Sequence, residues 1–148
     1  MKQCWAGGFV VLALLALPAA SAGAQGQTSS RENRTGSELK QNYPNPFDTE
    51  TRIPFSVGGY PNCIDPSRQY RVSLKIYNVL VQQVAVPVLQ GGTSAGQSVD
   101  NVFLTCGEYT AYWDGRVRGS NREASSGIYS YRLEVNGSPI TRKMTVRK

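Results

Sequence analysis

The side chains able to do chemistry are few, and one type is missing altogether: none of the 148 residues is a histidine. Without it, Ser-His-Asp and Cys-His nucleophile arrangements cannot be built, and His-based zinc sites are excluded. The carboxylates Asp48, Glu50, Asp65, Asp100, Glu108, Asp114, Glu123 and Glu134 are spread along the chain. A glycosidase needs two carboxyl groups facing each other across a cleft, and a small sandwich is a poor host for one. Asp114 and the loop after it offer oxygens to calcium, but no D-x-D-x-D-G run exists. Asp114 before Gly115 also suits an Asx-turn. Trp113, Tyr109, Tyr129 and Tyr131 would make a sugar-stacking platform if exposed and core if buried, and their alternating positions favour core. The expectation is a chain without catalysis, metal or cofactor.

Cysteine usage points to an oxidising compartment. Cys63 and Cys106 form an even pair once Cys4 is set aside with the leading apolar segment. With no C-x-x-C and no histidine, a disulfide is the reading. It would join two loops at one end of the domain, as a staple or as a clamp for a binding surface. Chain-entropy reasoning gives such a loop roughly 4 kcal/mol.

The net charge is +6, and the excess is unevenly placed. Arg142, Lys143, Arg147 and Lys148 crowd the last strand, and Arg116, Arg118 and Arg122 crowd one loop. Such patches suit anionic surfaces. In an exported protein nucleic acid is not expected, and anionic cell-surface polysaccharide or lipid is the better partner. A solvated edge strand protected from aggregation accounts for the same charges. Asn33-Arg34-Thr35 and Asn136-Gly137-Ser138 match the N-glycosylation pattern, the second also being a hairpin signal.

Positioning these residues falls to three segments. Residues 1–24 read as a signal peptide: Lys2, an apolar run over 9–17, Pro18, then Ala20-Ser21-Ala22 and Ala22-Gly23-Ala24 as cleavage sites. The run is shorter than the roughly 20 residues of a membrane-spanning helix, so no span is expected after cleavage. Residues 25–38 read as a polar, flexible leader. Residues 39–148 form one domain of short β-runs.

Thr51 to Val57 alternates, with Ile53, Phe55 and Val57 on one face; Pro54 predicts an edge or irregular strand. Over 70–77, Val72, Leu74 and Ile76 face one way and Arg71, Ser73 and Lys75 the other. Residues 81–89 read as one β-rich run, with Pro87 marking an edge. A further strand over 108–113 ends at Asp114-Gly115. Residues 128–135 place Tyr129, Tyr131, Leu133 and Val135 on one face, Asn136-Gly137 turns the chain, and 140–146 closes with Ile140, Met144 and Val146. Loops over 58–69 and 90–107 look inserted. About six to seven strands with regular turns predict an all-β, Ig-like antiparallel sandwich. The Cys-Trp-Cys spacing of antibody domains is absent, because Trp113 follows both cysteines.

Six ordered motifs carry a family resemblance. They are Leu39-Lys40-Gln41-Asn42-Tyr43-Pro44-Asn45-Pro46-Phe47, Arg52-Ile53-Pro54-Phe55-Ser56-Val57, Val72-Ser73-Leu74-Lys75-Ile76-Tyr77-Asn78-Val79-Leu80, Gly107-Glu108-Tyr109-Thr110 running to Trp113-Asp114-Gly115, Ser126-Gly127-Ile128-Tyr129-Ser130-Tyr131-Arg132-Leu133, and Thr141-Arg142-Lys143-Met144. Together they resemble the type A C-terminal sorting domain of the type IX (Por) secretion system, a pattern that shades into the Ig-like domain of the flagellar hook-capping protein. Physical readings sit beside it. Pro44 and Pro46 stiffen the start of the domain, Phe47 caps the core, and Gly127 permits close backbone approach. Similar proteins carry Gly after Tyr77-Asn78-Val79-Leu80. This chain has Val81, and a β-branched residue is poor at positive φ, so a rebuilt turn is expected.

The resemblance implies a non-catalytic exported module that directs a protein through the periplasm and across the outer membrane to the cell surface or medium. Its partners would be the outer-membrane secretion machinery and anionic lipopolysaccharide. By the same resemblance the closing strand, with Lys143, Met144, Val146, Arg147 and Lys148, is the expected contact. The alternative is a small periplasmic or cell-surface scaffold or adhesion domain that keeps the fold without sorting.

Overall fold

The computed structural model describes residues 35–148. Residues 1–34, which hold the expected signal peptide and the first part of the expected leader, lie outside the described residues. Among the described residues there are nine strands: β1 Glu38–Leu39, β2 Thr51–Val57, β3 Gln69–Tyr77, β4 Gln83–Ala85, β5 Val88–Gln90, β6 Val102–Thr105, β7 Gly107–Trp113, β8 Gly127–Val135 and β9 Ser138–Val146. They build two sheets, ordered β1-β2-β7-β5 and β4-β3-β8-β9, with β6 also pairing β3. Every strand pairing is antiparallel. The chain is therefore the all-β sandwich its alternation predicts. No helix among the described residues is long and apolar enough to cross a membrane.

The inward faces follow the period of two. Ile53, Phe55 and Val57 from one sheet meet Val72, Leu74, Ile76, Leu133 and Val135 from the other, all fully buried. Each such side chain removed from water contributes roughly 1.5–3 kcal/mol. Residues 35–148 thus close a core of their own. At one end Phe47 packs edge-to-face on Trp113 at 5.4 Å, and Trp113 meets Tyr129 at 6.0 Å. Phe47 is the core cap its motif predicts.

Several local expectations are corrected. β2 lies between β1 and β7 rather than at an edge. Pro54 is tolerated there because its carbonyl accepts from the Lys40 amide at 3.0 Å, so its missing N–H faces the flank of the two-residue β1 and removes no bond to β7. The run over 81–89 is two strands in different sheets. Val86 and Pro87 carry the chain across, leaving β4 and β5 as edges. The apparent insertion over 90–107 contains β6, in register with β3 from Gln69↔Thr105 to Val72↔Val102. Residues 35–38, expected as the end of the leader, join the fold: Ser37 is buried and the Gly36 carbonyl accepts from the Gly59 amide at 3.0 Å.

Two glycine expectations divide. At the β8–β9 hairpin, Asn136 and Gly137 have φ of 49° and 80°, the two-residue turn that Asn-Gly signals. Gly127 differs from expectation: a Cβ there would meet nothing within 4 Å, so its φ of 156°, not close approach, calls for glycine. The β3–β4 turn is not rebuilt. Val81 itself adopts φ 60°, a left-handed conformation unfavourable for a β-branched residue.

Candidate functional site: the opening segment against the last strand

β9 is the edge of its sheet, and the hairpin fixes which way its backbone points. Ser138 pairs with Val135, so even-numbered residues bond to β8 and Pro139, Thr141, Lys143 and Thr145 turn their backbone outward. Such an edge invites an added strand. Here the opening motif takes most of it. The Thr145 amide donates to the Asn45 side-chain oxygen at 2.9 Å. The Phe47 amide donates to the Thr145 carbonyl at 3.1 Å, and the Arg147 amide to the Phe47 carbonyl at 2.8 Å. The Gln41 side-chain amide donates to the Lys143 carbonyl at 3.1 Å. Pro139 has no N–H to offer. Among the described residues, this leaves the Pro139 carbonyl, both outward groups of Thr141 and the Lys143 amide open.

A buried polar knot holds the opening segment in place. The Tyr131 hydroxyl donates to the Lys40 carbonyl at 2.9 Å and accepts from the Asn42 amide at 3.0 Å. The Asn42 side chain donates to the Pro44 carbonyl and to the Thr51 hydroxyl, which in turn donates to the same carbonyl at 2.9 Å. Asn42, Thr51 and Tyr131 are almost wholly buried. Burial pushes the Tyr131 phenol above its ordinary value, because the phenolate would lose its hydration. The Arg142 guanidinium adds a bond to the Leu39 carbonyl.

The residues expected at a partner surface therefore divide. Lys143 and Arg147 are exposed. Lys148 is engaged by Glu123 at 3.1 Å and Asp48 at 3.7 Å. Met144 and Val146 are buried in the core and anchor β9, so in this state their side chains are not a contact surface. Pro46, Phe47, Asp48, Arg147 and Lys148 line a cavity of about 380 Å³ where the motif meets the end of β9. A second cavity, about 360 Å³, lies beside the arginine loop, against Asp100, Asp114, Arg116 and Arg118. Motif residues elsewhere are architectural. Tyr77 ends β3. The Asn78 side-chain oxygen accepts from the Leu80 and Gln82 amides. Asp114 forms an Asx-turn, accepting from the Arg116 amide. Gly115 has φ 70°, and a Cβ there would sit 2.6 Å from the Thr49 carbonyl oxygen.

The aromatic residues resolve as core. Trp113 and Tyr131 are buried, and Tyr109 and Tyr129 pack against the core. Cys63 and Cys106 are bonded, with Cα atoms 5.9 Å apart, tying the 58–68 loop to the short link between β6 and β7. Sequence reasoning did not single out Gln41, Asn42 or Thr51 for a role. A polar residue beside the proline motif was the available signal, but its partners lie across the fold.

No family model matches the sequence, and no curated protein matches it significantly. Among solved structures, the fold is similar to part of dimeric latent PorU from Porphyromonas gingivalis, with TM-score 0.51 and 18% identity. That alignment covers 74% of this chain and 9% of PorU, so this chain matches only a small part of that protein. An alkylpurine DNA glycosylase, AlkC from Pseudomonas fluorescens, bound to DNA containing an abasic site analogue, aligns at TM-score 0.39 and 11% identity. It covers 78% of this chain and 31% of AlkC, too weakly to define a common fold.

Proposed function

We propose that residues 39–148 are a non-catalytic, exported sorting module of the type IX (Por) kind. It passes through the periplasm and directs translocation across the outer membrane to the surface or medium. The observation that carries this reading is the union of its two motif-bearing ends. The Tyr43-Pro44-Asn45-Pro46-Phe47 stretch and the basic end of β9 form one hydrogen-bonded surface, so the feature a secretion machine would read is built only in the folded domain. The fold likeness to PorU, whose name carries the designation of that secretion system, supports it. Because the opening segment covers most of the β9 edge, recognition runs through the side chains of Lys143, Arg147 and Lys148. Strand addition requires residues 41–47 to move away first. Charge at such a rim acts mainly on steering and rate, and anionic lipopolysaccharide is the matching surface beyond the machinery.

The test is a reporter fused ahead of residues 25–148 in a host with a type IX system. Surface delivery is expected, with periplasmic retention when Lys143, Arg147 and Lys148 are all changed to Glu. Unchanged export of that variant sinks the proposal. Deleting 140–148 alone is a weaker test, because it also removes Met144 and Val146 from the core.

The scaffold or adhesion reading rests on a separate observation. Tyr60 and Ile64 are exposed on the loop clamped by Cys63–Cys106. Envelope binding that depends on this loop, with no export of the reporter, would favour it.

A further inference from the structure

We infer that the β3–β4 turn is a preformed apolar prong that docks the domain on an anionic lipid bilayer. Three consecutive apolar side chains, Val79, Leu80 and Val81, are 76%, 72% and 78% exposed at its tip. Scattered surface hydrophobics are ordinary, but a contiguous run at one projecting turn is not. The turn is also held in one shape against local preference. Val81 sits at φ 60°, where Gly or Asn is usual. Asn78 fixes it from within. Its side-chain oxygen accepts from the Leu80 and Gln82 amides, and its side-chain amide donates to Gln82. The Val81 amide in turn donates to the Asn78 carbonyl. A preorganised tip loses little conformational freedom on insertion.

Charge complementarity selects the occupant. The strand register places the turn at the end of the sandwich where β8 begins and β9 finishes, since Tyr77 opposes Ser130 and Gly127 opposes Val146. The arginine loop lies at that end too: the Arg118 amide donates to the Val84 carbonyl of β4, and Glu123 reaches Lys148. Among the described residues Arg116, Arg118, Arg122 and Arg147 take part in no ion pair. Asp48, Asp100, Asp114 and Glu123 are the acids nearby; Asp100 faces Lys75, and Asp48 and Glu123 face Lys148. Ile128, exposed at the start of β8, adds apolar area at the same end. Apolar side chains inserted at the headgroup boundary, with unpaired arginines on the anionic headgroups beside them, is the interfacial mode of membrane binding.

The test is co-sedimentation of residues 25–148, which contain the whole described sandwich, with phosphatidylcholine vesicles and with vesicles also containing phosphatidylglycerol. Binding to the anionic vesicles is expected, falling steeply with salt. Leu80→Asp should weaken it by about tenfold or more and Arg118→Glu by several-fold, whereas Phe103→Asp, exposed on β6 opposite Arg71 at the start of β3, should leave it unchanged. Thermal transitions check that the variants fold; if Leu80→Asp does not, Leu80→Ser carries the comparison. Equal binding to neutral vesicles, no binding, or full binding by folded Leu80 variants overturns the inference. So does a Leu80-dependent dimer in sedimentation velocity without vesicles, which makes a second copy the occupant.

Discussion

Asn45 and Thr145, 100 positions apart, are joined by a bond from the Thr145 amide to the Asn45 side-chain oxygen. The proline motif is thereby part of the sheet edge rather than a linker leading to it. Asn45→Ala removes this bond and should cost about 1 kcal/mol. Hydrogen exchange should speed at Thr145 and Arg147 while the β3–β8 amides keep their protection. Uniform loss of protection across both sheets would contradict this placement.

The Tyr131 hydroxyl serves two backbone groups of the opening segment, so Tyr131→Phe leaves the Lys40 carbonyl and Asn42 amide without it. A loss of roughly 1–3 kcal/mol is expected in urea unfolding. The pH dependence follows from the raised phenol. Above about pH 10 the unfolded chain gives up a proton that the folded chain retains, so stability is full below that pH and declines as pH rises toward the folded value. The Phe variant should lack this part of the alkaline decline. Tyr112, held up mainly by its hydrogen bond to Glu50, contributes in the same direction and remains in both proteins.

Val81→Gly should raise stability by up to about 1 kcal/mol, relief of the left-handed strain outweighing the added freedom of the unfolded chain. A lower melting temperature would show that the valine side chain makes a compensating contact.

Gly115→Ala should be among the most damaging single changes outside the core, by about 2 kcal/mol or more, because the new methyl meets the Thr49 carbonyl at a positive φ. Gly137→Ala shares the positive φ but meets open space, and should lose only about 1 kcal/mol. Comparable losses in chemical denaturation would argue against the Thr49 clash.

Replacing Cys63 and Cys106 together by Ser should lower stability by about 2–4 kcal/mol without altering the sheet register. The bond ties loops at the edge of the sandwich, so far-ultraviolet circular dichroism should be preserved at temperatures where the variant is folded.

The strands with strict alternation were legible because one buried face imposes a period of two. Ile53, Phe55 and Val57 mark β2 to the residue, and Asn136-Gly137 marks the hairpin. What alternation cannot reveal is which sheet a short strand joins. Residues 81–89 look continuous, yet the chain crosses between sheets at Val86 and Pro87, and the four residues of β6 hide in a segment rich in Gly and Ser. Pro54 misled for a related reason: its cost depends on which flank its nitrogen faces, a property of pairing rather than composition. Basic residues at the end of β9 were readable as a patch. Their separation from buried Met144 and Val146, and the cover that Gln41, Asn45 and Phe47 lay over the strand, depend on contacts about a hundred residues apart.

The Phe47–Val146 bridge is parallel, while every named strand pair is antiparallel. A pull that separates the two termini drags these neighbours past each other along their length. Their hydrogen bonds are then loaded together in shear rather than opened one at a time, so the seam resists tension better than its few bonds suggest. A module held at one terminus and drawn by the other would keep its shape until that seam slipped.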